Sequence, residues 1–171
     1  MRQGSTGGYF VREADNRPLV RDFATLFRLG RVSREQLIEA RRLIEPEVAF
    51  LAAQRATDAD IKGLLAVVDQ RDAEATAGGD PRRFDLEFHR RLADAARNPV
   101  HAVISHALMA LEAEVVAPQV NLTEAASAEV NAAHHRIVEA MAAGKAGEAR
   151  AIMAAHIEEV QANLDRSAAS E

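Results

Sequence analysis

Two dipeptides, Asp80-Pro81 and Asn98-Pro99, do most to restrict the fold. Each sets a side chain that can accept a hydrogen bond from a helix's free N–H groups directly before a proline. The proline's fixed φ suits the first helical turn, and its missing N–H costs nothing there. The two starts therefore enclose one short helix that must end in a tight turn. Similar punctuation runs along the rest of the chain. Asn16 before Pro18, Ser33 with Gln36, Thr57, and Asn121 with Glu124 are start signals, while Gly30 and Gly144 are stops. Between these marks apolar residues recur at helical spacing, among them Leu37, Ile44, Val48 and Leu51, then Ile61, Leu64, Leu65 and Val68. The pattern continues through Val100, Ile104, Leu108, Leu111 and Val115, closed by Pro118, and through Val130, Ile137, Val138 and Met141. Helices joined by turns this short must pack against their neighbours, so the expected fold is an all-α antiparallel bundle of about six to seven helices.

A chain of 171 residues, 48% hydrophobic with only 4% aromatic, can build one core, and that core must be rich in Ala, Leu and Val. Residues 1–17 stand apart: a glycine-rich turn, Gly4 to Gly8, precedes the β-prone run Tyr9-Phe10-Val11. The domain is expected over residues 18–166, with a small polar tail from Ser167 that frays. The absence of cysteine rules out disulfides and zinc–thiolate sites and suits a reducing cytoplasm. No apolar run approaches the ~20 residues of a membrane span, and no leader is visible, so the chain reads as cytoplasmic with no membrane partner. Its formal charge of -5 opposes binding to phosphate backbones by this segment alone.

The chemistry is concentrated in Phe84-Asp85-Leu86-Glu87-Phe88-His89. At about 100° per residue, Asp85 and His89 fall on nearly one helix face. His134 and His156 each interrupt the apolar stripe of a later helix, whereas His135 is turned about 100° away from it. Three helices could thus aim Asp85, His89, His134 and His156 at one interior point. Imidazole nitrogens with a carboxylate oxygen form a suitable shell for a borderline divalent cation such as zinc, nickel, iron or copper, with zinc or nickel the expected occupant. The bland alternative makes each inward histidine a hydrogen-bonded core residue. Arg41 lies within the stripe of the second helix, where it needs an acidic partner or an anion. It is a candidate clamp for the carboxylate of a small organic acid, or else a snorkelling or internally paired side chain. No inward carboxylate besides Asp85 is clearly placed to act as a general base. His101 and His106 lie about 140° apart around their helix and cannot share an ion. Phosphate-binding glycine loops, the His-Glu-x-x-His motif and a nucleophile triad are all missing.

These residues, in this order, resemble a known family: the FCD ligand-binding domain (the FadR carboxy-terminal type) of GntR-family bacterial transcription regulators. The resemblance runs from about Leu19 to Leu164. It is carried by Glu39-Ala40-Arg41-Arg42-Leu43-Ile44-Glu45-Pro46, by Phe84-Asp85 through Phe88-His89 to Asn98-Pro99, and by His134 through Glu139-Ala140-Met141 and Gly144 to His156. The 22-residue step from His134 to His156 matches the spacing of the family's last two ligand histidines. The resemblance implies an FCD bundle in which Asp85, His89, His134 and His156 hold a metal, with Arg41 contacting a small carboxylate effector. It also implies that Gly7-Gly8-Tyr9-Phe10-Val11 is the last strand of a winged-helix wing. The helix-turn-helix itself is expected to lie outside this sequence.

The resulting expectation is a sensor, not an enzyme. Metal and a small organic acid would modulate operator binding by an amino-terminal winged helix-turn-helix, in a homodimer whose symmetry matches two half-sites. The alternative is a metal-dependent enzyme in which the ion activates water against a small carboxylate. A dimerisation module with a vestigial pocket is a third possibility.

Overall fold

The computed structural model describes residues 17–30, 32–116 and 123–168, and every regular element among them is helical. The elements are α1 (Arg17–Leu29), α2 (Arg34–Arg55), α3 (Asp58–Thr76), α4 (Arg82–Ala95), α5 (Pro99–Leu111), a π turn (Glu112–Val116), α6 (Glu124–Ala142) and α7 (Ala146–Ala168). This is the all-α bundle anticipated from the periodicity. The proposed wing remnant lies outside the described residues except for Arg17, as do Pro118, Asn121 and the final residues 169–171. Helix α7 continues to Ala168, past Ser167, where the sequence suggests fraying.

Most helix starts follow the expected chemistry. Ser33 and Thr57 form complete capping boxes with Gln36 and Asp60, so donors on both sides of each helix start are satisfied. Asn98 accepts from the N–H groups of Val100 and His101 ahead of α5. Two starts differ from expectation. Helix α4 begins at Arg82, after Pro81, and Asp80 accepts the Arg82 N–H at 3.1 Å while also pairing with its guanidinium. Helix α6 is capped by Thr123, whose hydroxyl accepts from Ala126 N. At the far end of α6, Gly144 adopts φ +67°, which lets the Lys145 N–H reach back to Ala140 O at 2.8 Å and reverses the chain into α7.

Helix α2 is the axis of the bundle, packing along α7 and also against α4, α5 and α6, while α3 packs on α4 and α6. Leu37, Ile38, Leu64, Phe88, Ile137 and Met153 are fully buried at the centre. Burying a side chain of this size contributes roughly 1.5–3 kcal/mol. Small residues on α2, including Ala49, Ala52 and Ala53, are also buried and let neighbouring helices approach closely. The fifth helix does not run regularly to its end. It widens into the π turn at residues 112–116, a local geometry often found where a helix serves a site.

Candidate functional site

The core contains a polar centre where α2, α4, α6 and α7 converge. His89 on α4, His134 on α6 and His156 on α7 are all buried, and one ligand nitrogen from each lies within 4.8 Å of the others. The His134 ring stacks on Phe88 at 4.0 Å between centroids and meets the His156 ring edge-on at 4.8 Å. Neither nitrogen of His134 has a hydrogen-bond partner, and His156 Nδ1 has none. Polar atoms left unpaired in a close-packed core are costly and are seldom retained without a ligand or a role. Burial, aided by the positive neighbourhood, pushes both His134 and His156 well below the usual imidazole range, so both stay neutral and keep a lone pair available.

Asp85 reaches the same centre from α4. Its Oδ1 lies 3.8 Å from His134 Nδ1, and the same oxygen is held by Arg71 Nε of α3. Burial pushes the Asp85 carboxyl up, against the pull of Arg71. The structure therefore brings together all four residues expected to form the centre, three as a tight imidazole group and the fourth beside it in an ion pair.

Two buried charges that sequence reading missed complete the surroundings. Glu45 on α2 is a second inward carboxylate and supplies the acidic partner that a buried Arg41 needs. Its Oε2 is 2.6 Å from His89 Nδ1, and its Oε1 accepts from Arg41 Nε at 2.5 Å. Burial alone would raise Glu45, but Arg41 and His89 outweigh it and hold the carboxyl well below its ordinary range. A carboxylate against Nδ1 favours the tautomer whose Nε2 is free to ligate, the arrangement by which proteins orient metal-bound histidines. The Glu45 signal was its position one turn beyond Arg41 on the same face.

Arg71 is the second omission. It is only 1% exposed, donates from Nη1 to Ser127 O at 2.9 Å, and leaves Nη2 without a partner. Its spacing from Leu64, Val67 and Val68 places it in the inward stripe of α3, a signal open to the same reading as Arg41.

Arg41 is buried where the stripe predicts, at 3% exposure, and is engaged by two glutamates: Glu45, and Glu112 of the π turn at 3.0 Å from Nη1. Burial alone would lower its pKa, but Glu112 and Glu45 together raise it, so Arg41 remains a cation. The remaining histidines stand outside the centre. His135 is only partly buried, unlike its neighbour His134. His106 pairs with Asp94 at 3.1 Å, which raises its pKa, and His101 is partly buried on the same helix.

The FCD domain model matches residues 36–159. The chain is similar to the HTH-type transcriptional regulator LutR of Bacillus subtilis, 26% identical over 165 residues that make up 94% of this chain and 74% of that protein. It is also similar to the Uxu operon regulator of Haemophilus influenzae, 27% identical over 142 residues, 75% of this chain and 50% of that one. Among solved structures, Streptococcus agalactiae GntR aligns with a TM-score of 0.60 and 27% identity over 72% of this chain and 56% of its own. These relatives bear the names of regulators, which agrees with a non-enzymatic role, and no helix among the described residues is long and apolar enough to cross a membrane. The helical bundle, its ordered motifs and a match across most of its length make this chain a member of the FCD domain family, of the type found in GntR-family transcription regulators.

Proposed function

We propose that this chain is the effector-sensing domain of a GntR-family regulator, in which Asp85, His89, His134 and His156 hold a divalent metal, zinc or nickel, beside a small carboxylate effector. The observation that carries this reading is the group of three buried histidines with ligand atoms within 4.8 Å and nitrogens lacking partners. Two Zn–N bonds of ~2.0–2.1 Å at a tetrahedral angle set their nitrogens about 3.4 Å apart, so the three rings would draw together by up to about 1.4 Å to close on one ion.

Charge balance supports the second ligand. With neutral imidazoles, Arg41 and Arg71 face Glu45, Glu112 and Asp85, leaving the centre one negative charge in excess. A divalent ion turns that into one positive charge, and a single carboxylate neutralises it. When bound, the metal would supply a Lewis-acid anchor for that carboxylate. The protein's own groups set the rest: Glu45 orients His89, Arg41 fixes Glu45, and Phe88 holds the His134 ring flat. Arg41 would contact the effector in competition with Glu45 and Glu112, which already engage its Nε and Nη1.

Signalling requires that effector and metal bind two conformations of the bundle with different affinity. The readers of that change would be an amino-terminal winged helix-turn-helix on operator DNA and a second copy of the chain in a homodimer. The decisive measurement is metal content per chain by elemental mass spectrometry on untagged protein and on His134→Ala and His135→Ala variants. Near-stoichiometric metal lost only from the His134 variant is expected. Metal-free protein after soaking with zinc and nickel, or equal loss from both variants, would overturn the site.

A further inference from the structure

The Asp85 oxygen nearest His134 is the one that Arg71 holds, and Arg71 has a second face. It lines the wall of a cleft of about 410 Å³ between the end of α3, the start of α4 and the first turns of α6. We propose that Arg71 is a latch on the metal site. It occupies Asp85 until a small monocarboxylate enters this cleft and takes the guanidinium, releasing Asp85 to complete the metal's ligand set. This deepens the metal-sensor reading above and rests on it.

Three observations support the latch. Arg71 faces fewer carboxylates than Arg41, the other buried guanidinium at the centre. Arg41 is bracketed by two carboxylates, while Arg71 has one carboxylate, one backbone carbonyl and an unpartnered Nη2. An incoming carboxylate could pair with it in the two-pronged geometry that guanidinium favours. Next, Ser127 lines the same cleft and its hydroxyl is also buried without a partner, a second hydrogen-bonding group that an anion would meet as it parts Arg71 from Asp85. The cleft's remaining charged residues, Asp72 and Glu124, are exposed and acidic, which disfavours multiply charged anions and admits a single carboxylate. Finally, a metal ion and a guanidinium compete for lone pairs of one carboxylate and repel each other, so freeing Asp85 strengthens metal binding. By linkage, metal must then strengthen anion binding by the same factor.

The opposite role is also physically well defined: Arg71 could orient Asp85 toward the metal, as neighbouring groups orient many ligands. The two roles predict opposite signs. Zn²⁺ affinity is measured by chelator competition on EDTA-stripped, dialysed protein, with and without sodium acetate at constant ionic strength. The latch predicts that acetate tightens Zn²⁺ binding in the unaltered chain. It predicts that Arg71→Gln binds Zn²⁺ about ten- to a hundred-fold more tightly without acetate, the factor expected from losing one charged hydrogen-bond pair. In that variant the acetate effect should fall to the part that acetate gains by direct contact with the metal. Weaker Zn²⁺ binding by Arg71→Gln overturns the latch in favour of orientation. An acetate effect undiminished in Arg71→Gln also overturns it, because acetate then acts wholly on the metal. A second arm works in EDTA without metal and does not depend on that variant folding. Asp85→Asn frees Arg71 and should bind acetate about tenfold more tightly than the unaltered chain, by chemical-shift titration. Unchanged acetate affinity there refutes the latch. Absence of Zn²⁺ binding by every form refutes the metal reading itself, which separates the two failures.

Discussion

Acidifying the metal-free protein provides a direct test of the buried imidazoles. His134 is 0% exposed and His156 2%, and burial holds both well below their ordinary range. In the unfolded chain each titrates near ~6.5. Below that value the unfolded state binds two protons that the fold refuses, so stability is present above pH ~6.5 and lost as pH falls. Each withheld proton costs about 1.36 kcal/mol per pH unit, or about 2.7 for the pair. If both rings remain neutral, the loss between about pH 7.5 and about pH 5 reaches about 4 kcal/mol, against a typical total of roughly 5–15. The other shifted groups act differently. Glu45, held below its ordinary range, gives stability that is lost only at lower pH. His106 is raised by Asp94, so its contribution is full below pH ~6.5 and is lost on the alkaline side. Asp85 is raised by burial and takes up a proton early in the fold, which offsets part of the loss at the acid end. Urea unfolding in EDTA across this pH range gives the slope. A loss under about 1 kcal/mol, or the same loss in a His134→Gln/His156→Gln double variant, would refute the reasoning.

Three further outcomes are expected. Arg41→Met leaves Glu45 and Glu112 without their buried cation and should cost about 3–5 kcal/mol in urea unfolding, far more than loss of an exposed pair such as Arg42–Glu158. Phe88→Ala removes a fully buried ring and the stacking surface of His134; a cost of about 3–5 kcal/mol is expected, together with weaker metal retention. Gly144→Ala has open space around the new methyl group but forces a side chain onto φ +67°, and thermal unfolding should show a loss of about 1–2 kcal/mol.

Much of the bundle was legible because its helix starts are written in side chains. Ser33, Thr57 and Asn98 all act where they stand, and the inward choice of His134 over His135 follows from helical phase alone. The errors at the starts of α4 and α6 were shifts of a residue or two, since Asp80 and Thr123 offer the chain nearly equivalent acceptors. Glu45 and Arg71 escaped for a different reason. A charged residue is normally assigned to solvent, and only its partner across the core, on another helix, makes burial tolerable. The partnership of Arg41 with Glu112 was harder still to read. It depends on a backbone widening at residues 112–116 that has no periodic signature.

That widened turn has a mechanical consequence. Glu112 grips Arg41 in the interior, while Glu114, two residues on, grips Arg28 of α1 at 2.6 Å on the outside. One stretch of backbone is thus fastened at one end to the charged heart of the domain and at the other to its first helix. A rearrangement that turns this stretch to draw Glu112 off Arg41 also pulls on Arg28. The bundle contains a short lever whose inner arm is electrostatic and whose outer arm is a helix at the periphery.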